Sequence, residues 1–309
     1  MTARRVLRAL AVLAGAFVLW LLAVWPPPVW YRTHWPRETA FMEMRRAARP
    51  RRGAAAGFSY HPVPLDSIAA ALPGAVMAGE DRRFWEHHGI DWWNLRAALG
   101  YRRGDFSWAS SRDRSDLSRA LGTVWERREA LRGASTITQQ LAKNLYLSPS
   151  RSPLRKVKEA VTAYRLEAAL DKRRILELYL NIVELGDGVW GVDAAARQYF
   201  GRPAAFVSQT EAAALAATLP FPLSSNPAHL PGRMEWRQAL ILRKLRGEDV
   251  EVPQVEAEDV PPAPDLPAAD SIMPGPADSG VSTIPDSAGN SPADTIGVEA
   301  APDSVGQLR

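Results

Sequence analysis

Residues Ala9 to Trp25 read ALAVLAGAFVLWLLAVW, seventeen residues without a charge. This run constrains the chain before anything else, because it ties one end of the molecule to a membrane or to export across one. Seventeen residues lie at the short end of what a helix needs to cross the hydrocarbon core. Arg4, Arg5 and Arg8 precede it, and Trp25, Trp30, Tyr31 and Trp35 follow it around Pro26, Pro27 and Pro28. Cations before and interfacial aromatics after predict a helix with its N-terminus inside and its C-terminus outside. The rival reading is a cleaved signal peptide. That needs a small-residue cleavage site after the apolar core, and VWPPPVWY offers none. The expectation is an uncleaved anchor with the body of the chain outside the cytoplasm.

Charge narrows the partners. The formal net charge of +4 is unevenly spread. Residues 248–309 hold 13 of the 34 acidic residues and 1 of the 38 basic ones, which leaves 37 basic against 21 acidic, or +16, on the rest. A basic body suits nucleic acid, a phosphate-bearing substrate or an acidic membrane surface. A location outside the cytoplasm argues against nucleic acid. The acidic stretch is rich in Pro, Ala, Asp and Ser and poor in aromatics, so it reads as a disordered solubilising or linking tail. There is no cysteine, hence no disulfide or thiol chemistry.

Between Leu65 and Gly247 the pattern is helical. Ser152 followed by Pro153 is an N-cap and first-turn proline for a helix through about residue 170. Asp171 can cap the next helix, where Ile175, Tyr179 and Val183 form one row and Leu176 and Leu180 an adjacent one. The Gly186-Asp187-Gly188 triplet breaks it. Asp193–Phe200 is a short helix stopped by Gly201. Ser208 with Glu211 makes a capping box, and Met234–Arg246 is the last helix. No alternating strand stands out. Residues 101–130 are polar with interspersed Trp108 and Trp125, and read as a loop or mobile helical excursion. The expected organisation is a cytoplasmic N-terminus (1–8), a transmembrane anchor (9–25), a juxtamembrane segment (26–61), a mostly α-helical domain (62–247) and the tail (248–309).

Two stretches carry chemistry. The first, GEDRRFWEHHG (Gly79–Gly89), admits three readings: metal site, acid/base catalyst or charged helix end. Neighbouring residues on a helix point about 100° apart, so His87 and His88 make a poor shared metal site. No HExxH or CxxC accompanies them. The second stretch is GASTITQQLAKNLYL (Gly133–Leu147). Thr136 and Gln139 fit a capping box, so a helix begins there, and its first turn offers backbone N–H groups to an anion. Gln139, Gln140 and Lys143 lie three or four apart on one face. A well-capped surface helix is the plain alternative. Basic residues then accumulate at Arg151, Arg155, Lys156 and Lys158, with Glu159 four residues after Arg155. That spacing describes either an intrahelical ion pair or a second carboxylate in a cationic, phosphate-binding pocket.

Taken in order, these stretches resemble the motifs of the peptidoglycan glycosyltransferases. EDRRFWEHHG resembles E-D-x-x-F-x-x-H-x-G, and GASTITQQ with Lys143-Asn144 is similar to the second motif. RKVKE (155–159) resembles R-K-x-x-E, KRRILELYLN (172–181) resembles K-x-x-I-L-E-x-Y-L-N, and GDGVWGVDAAARQYF continues the match. None of the five lysines lies three residues after a serine, and S-D-N and K-T-G are absent, so the likeness is to monofunctional members without a transpeptidase domain.

The resemblance implies a lysozyme-like, mostly helical glycosyltransferase domain on one transmembrane helix. It implies an inverting enzyme of the cell inner membrane that polymerises lipid II into glycan strands and releases undecaprenyl pyrophosphate. Glu80 falls at the position of the general base, and Glu159 at that of the second essential glutamate, near the donor pyrophosphate or its metal. Ser135, Gln139, Gln140, Lys143, Arg151, Arg155 and Lys156 fall at substrate-binding positions, while Phe84 and His87 read as packing and positioning residues. A Mg²⁺ or Mn²⁺ ion is the only cofactor implied, without a ligand cluster in the sequence to hold it. The implied partners are lipid II, the growing glycan strand, membrane lipid and other cell-wall synthesis or division proteins. Two features depart from the family pattern: a longer stretch between the first two motifs, and the acidic tail. A glycan-cleaving relative of lysozyme type and a non-catalytic precursor-binding membrane protein are the rival readings.

Overall fold

The computed structural model describes residues 3–48, 58–98, 107, 109–122, 135–147 and 152–253. Eleven α-helices among these residues make the protein mostly helical, as expected. Helix α1 (Ala3–Leu22) includes a span, Arg4–Leu22, with mean hydropathy 2.0, long and apolar enough to cross a membrane and with none of its residues buried. The helix stops three residues short of the end of the apolar run, ahead of the prolines at 26–28.

The segment after α1 belongs to the folded body. A 3₁₀ turn (Pro28–Arg32) and α2 (Ala40–Ala48) bury Tyr31, Phe41 and Met42. Arg45 of α2 meets Glu184 in a buried ion pair, Nη2 to Oε2 at 2.8 Å.

The remaining helices are α3 (Ala71–Glu80), α4 (Trp92–Ala98), α5 (Ser111–Gly122), α6 (Ile137–Tyr146), α7 (Pro153–Ala169), α8 (Lys172–Ile182), α9 (Val192–Phe200), α10 (Gln209–Thr218) and α11 (Gly232–Leu245). Their starts follow the caps read from sequence. Thr136 accepts from the Gln139 amide while the Gln139 side chain accepts from the Thr136 amide. Ser208 and Glu211 do the same, Ser152 accepts from Arg155 N, and Asp171 from Arg174 N. α9 ends at Gly201 in the left-handed conformation. α5 lies within the expected excursion of residues 101–130, most of the rest of which falls outside the described residues.

α8 is buried nearly all round, with Ile175, Leu176, Leu178, Tyr179, Leu180 and Ile182 at 1 % exposure or less. α6 packs on both α7 and α8. On the other side α10, with buried alanines at 212–214 and 216–217, packs between α3 and α11. Short side chains there let three helices approach closely. That packing brings the end of α3 against α11, and the site depends on it.

Three short strands accompany the helices, none long enough to alternate visibly in the sequence. A three-stranded sheet of order β1-β3-β2 joins β1 (Ser59–Tyr60), β2 (Glu184–Gly186) and β3 (Val189–Trp190). β1 runs parallel to β3, with Ser59 opposite Val189, and β2 runs antiparallel to it. Strands of two or three residues are too short for alternation to show. Trp190 is fully buried against Phe41 and Phe58. Gly191 follows at φ +81°, where a Cβ would sit 2.3 Å from the Asn181 carbonyl oxygen, so only glycine fits.

The body also runs past the expected boundary after Gly247. Val252 packs against the core and the Pro253 carbonyl accepts from Arg237, so residues 248–253 have local apolar and polar partners that tail composition hides. Residues 254–309 lie outside the described residues.

Candidate active site

Glu80 is the last residue of α3 and is 7 % exposed. Gln140 Nε2 donates to its Oε2 at 2.9 Å, and Arg237 Nη2 donates to its Oε1 at 3.0 Å. The Gln140 carboxamide is oriented in turn by Tyr179, whose hydroxyl donates to Gln140 Oε1 at 2.8 Å. Burial, then the charges of Glu80 and Asp81, push the Tyr179 phenol well above its ordinary pKa, so it stays a donor. Gln140 and Arg237 thus fix Glu80 at both of its oxygens.

The chain turns directly after Glu80, so the first motif is a helix end followed by turns. His87 is buried and His88 exposed, so the two do not face one ligand. His87 Nε2 donates to the Asp81 carboxylate at 3.0 Å. Asp81 Oδ2 also accepts from the Ile137 amide at 2.9 Å. This corrects the expectation that the start of α6 is open to an anion: the protein's own Asp81 occupies it. Thr136 Oγ1 donates to the Gly89 carbonyl at 2.6 Å, which ties the motif's end to the same helix start. Gly89 itself has φ +90°, and a Cβ there would lie 3.2 Å from the α7 backbone at Ala163. Phe84 is fully buried, with Lys172 Nζ 4.3 Å from its ring centroid. Phe84 and His87 therefore pack and position.

Glu159 sits in α7 at 2 % exposure. Arg155 Nη1 meets its Oε2 at 2.9 Å and Lys156 Nζ its Oε1 at 2.5 Å. Lys156 Nζ also donates to Ser135 Oγ at 2.8 Å, which links α7 to the residue just before α6. Ser135, Arg155, Lys156 and Glu159 thus form one cluster, and Glu80 with Gln140 another, the first tied to the residues that lead into α6 and the second to α6 itself. Lys143 lies between these tiers in sequence, with Nζ 5.7 Å from the Phe41 ring centroid. Gln139 contributes its carboxamide oxygen to the helix cap. Arg151 lies outside the described residues. Among the described residues no group of three His, Cys, Asp or Glu side chains converges as metal ligands, and both Glu159 oxygens face cations. The described residues therefore offer no ligand set of their own for Mg²⁺ or Mn²⁺.

Two contacts at this site are not legible in the sequence. Tyr179 stands in the KRRILELYLN stretch but reads as one apolar position on α8, and Arg237 reads as one of several basic residues on α11. Arg237 is fully buried and lies 157 residues from Glu80, so no local pattern could pair them.

The chain matches the family model described as Transglycosylase over residues 53–103 and 103–246. It is 38 % identical over 241 residues to a biosynthetic peptidoglycan transglycosylase of Azoarcus sp. (strain BH72), covering 75 % of this chain and 95 % of that one. With the protein of the same name from Bordetella avium (strain 197N) it shares 39 % identity over 247 residues, 80 % of this chain and 95 % of the relative. The Bordetella pertussis counterpart is 40 % identical over 248 residues, 80 % and 93 % respectively. The chain belongs to the transglycosylase family.

Proposed function

We propose that this chain is a peptidoglycan glycosyltransferase that polymerises lipid II into glycan strands, releasing undecaprenyl pyrophosphate. The observation that carries the reading is a near-buried carboxylate, Glu80, held by Gln140 and Arg237 at its two oxygens, together with the cations Arg155 and Lys156 gathered around Glu159 and Ser135. The names of the relatives support it.

In the proposed reaction Glu80 takes the proton from the acceptor sugar's 4-hydroxyl as that oxygen attacks the donor's anomeric carbon. The new C–O bond forms as the bond to pyrophosphate breaks on the opposite face, which inverts the centre. The leaving pyrophosphate needs no proton if cations hold it. Lys143, Arg151, Arg155 and Lys156 are the proposed cations, with Ser135, Gln139 and Gln140 lining the substrate path. Glu159 keeps Arg155 and Lys156 in register. A Mg²⁺ or Mn²⁺ ion finds no protein ligand set among the described residues.

The lipid substrate explains the anchor and the basic body together. α1 is read as an uncleaved span of the inner membrane, with the body on the outer side. Lys158 Nζ lies 4.7 Å from the Trp20 ring centroid and Arg165 donates to the Leu22 carbonyl, so α1 docks on α7, the helix of the cationic cluster. Lipid II, the growing strand and membrane lipid are the proposed partners, with cell-wall synthesis or division proteins as further candidates.

Incubating the purified protein with labelled lipid II tests the reading. Polymer supports it. Unchanged lipid II would indicate a precursor-binding protein, and degradation of pre-made glycan a lysozyme-type enzyme.

A further inference from the structure

Arg237 poses a physical problem. A guanidinium with no solvent exposure needs a balancing charge and acceptors for its N–H groups. Its Nη2 supplies two bonds, to the Gly79 carbonyl at 2.7 Å and to Glu80 Oε1 at 3.0 Å. Its Nη1 donates to the Pro253 carbonyl. Its Nε is buried without a partner among the described residues. The guanidinium therefore depends on three acceptors, two at the end of α3 and one beyond α11.

The third acceptor arrives by a defined path. Gly247, at φ +83°, turns the chain at the end of α11. The Glu248 amide donates to the Arg243 carbonyl at 3.2 Å, and its carboxylate takes Arg243 Nε at 2.6 Å and Arg246 Nη2 at 2.8 Å. The chain then doubles back, Val252 packs against the core, and Pro253 reaches Arg237. Nothing in the composition of residues 248–309 separates these few from the rest of the acidic stretch.

We propose that residues 248–253 are a strap that holds Arg237 against Glu80, and that Arg237 is a positioning residue for the base. The head of the acidic tail is then part of the active-site scaffold, while residues beyond it are dispensable for turnover. This rests on the reading of Glu80 as the base. Without the strap the Nη1 group loses its acceptor and the guanidinium swings toward water, taking with it the bond that fixes Glu80 Oε1. Misplacement of a reacting group by about 1 Å can cost on the order of 10²-fold in rate.

The test uses full-length, detergent-solubilised protein and labelled lipid II, with kcat and KM measured separately. The variants are a stop after residue 247, a stop after residue 257, Arg237→Met, the 247 stop combined with Arg237→Met, and Glu80→Gln. The 257 stop should match wild type within about twofold, whereas the 247 stop should lose about tenfold or more in kcat at near-constant KM. Because strap and arginine act as one unit, the combined variant should be no slower than the worse single one. Merely structural losses would instead multiply. Wild-type kcat in the 247 stop, or multiplying losses, overturns the strap. If Arg237→Met fails to fold, the comparison of the two stops decides alone. If Glu80→Gln polymerises at the wild-type rate, the reading of the base fails. If it is inactive and the 247 stop is fully active, only the strap fails.

Discussion

Glu80 and Glu159 are both nearly out of water, at 7 % and 2 % exposure, yet their surroundings differ in kind. Glu159 takes both cations from its own helix, one turn back, and one of them, Lys156, is 44 % exposed. Glu80 takes one neutral amide from α6 and one fully buried guanidinium from α11. The first arrangement is local and cation-rich, so it presents positive charge outward and suits an anionic ligand. The second is assembled from distant segments and holds each oxygen of one carboxylate from a different helix. Burial alone therefore does not tell a base from a counter-ion. What surrounds the carboxylate does.

Removing each charge in turn tests that contrast most severely. Glu80→Gln keeps an acceptor for Arg237 but loses the proton-accepting charge, so turnover per folded molecule should fall by about 10²–10⁴-fold with lipid II affinity retained. The guanidinium is left without its charge partner, so the melting temperature should fall as well. Near wild-type polymerisation would remove Glu80 from its assigned role. Glu159→Gln should also be severely impaired, but through the donor site. Two cations lose charge-assisted bonds worth about 1.5–3 kcal/mol each, so substrate affinity should shift by about tenfold or more. Equal affinities in the two variants, read by binding of a non-hydrolysable lipid pyrophosphate, would collapse the distinction.

A smaller effect separates Glu80 from its neighbour. Asp81 accepts from the Ile137 amide and from His87, both structural bonds at the start of α6. Asp81→Asn retains one acceptor oxygen and introduces an amide donor where His87 already donates. A loss of about 1–3 kcal/mol in stability is expected. Turnover per folded molecule should change far less than in Glu80→Gln. Thermal unfolding measured beside single-turnover polymerisation checks this, and an Asp81→Asn that is fully stable but inactive would move the chemistry to Asp81.

The two clusters also differ in how far the sequence exposes them. Arg155, Lys156 and Glu159 lie within one helical turn, so their pairing follows from spacing, and the caps at Thr136, Ser152, Asp171 and Ser208 follow from local hydrogen-bonding capacity. Glu80 is visible through its motif, but its environment is not. Arg237 and Tyr179 reach it through the packing of α10 and α8, which no local pattern encodes. The strands at 59–60, 184–186 and 189–190 are too short to alternate. The closed N-terminus of α6 is hidden for the same reason: Asp81, which fills it, lies 56 residues away from Ile137.

The smallest effect is expected at a cap remote from either carboxylate, which makes it the control for all the others. Ser208 accepts from the Glu211 amide, and Glu211 accepts from the Ser208 amide at 2.7 Å. Ser208→Ala removes one half of this box and should cost about 1 kcal/mol. In a domain of this size that lowers the melting temperature by about 2–4 °C. Activity should not change, because α10 supports α3 through its buried alanine face and not through its cap. The Glu211 half is pH-dependent. The bond from the Ser208 amide holds its carboxyl below the usual value of 4.5. A group whose folded pKa is depressed stabilises above its unfolded pKa and loses that contribution as pH falls through the folded value. The effect of Glu211→Gln on melting temperature should therefore be present at pH 7 and fade below about pH 4.5. Glu211 is partly exposed, so salt should weaken its charge-dependent share. A pH-independent difference between Glu211→Gln and wild type would mean that the glutamate acts at this cap by shape alone, and a loss of turnover in Ser208→Ala would mean that α10 transmits strain to Glu80.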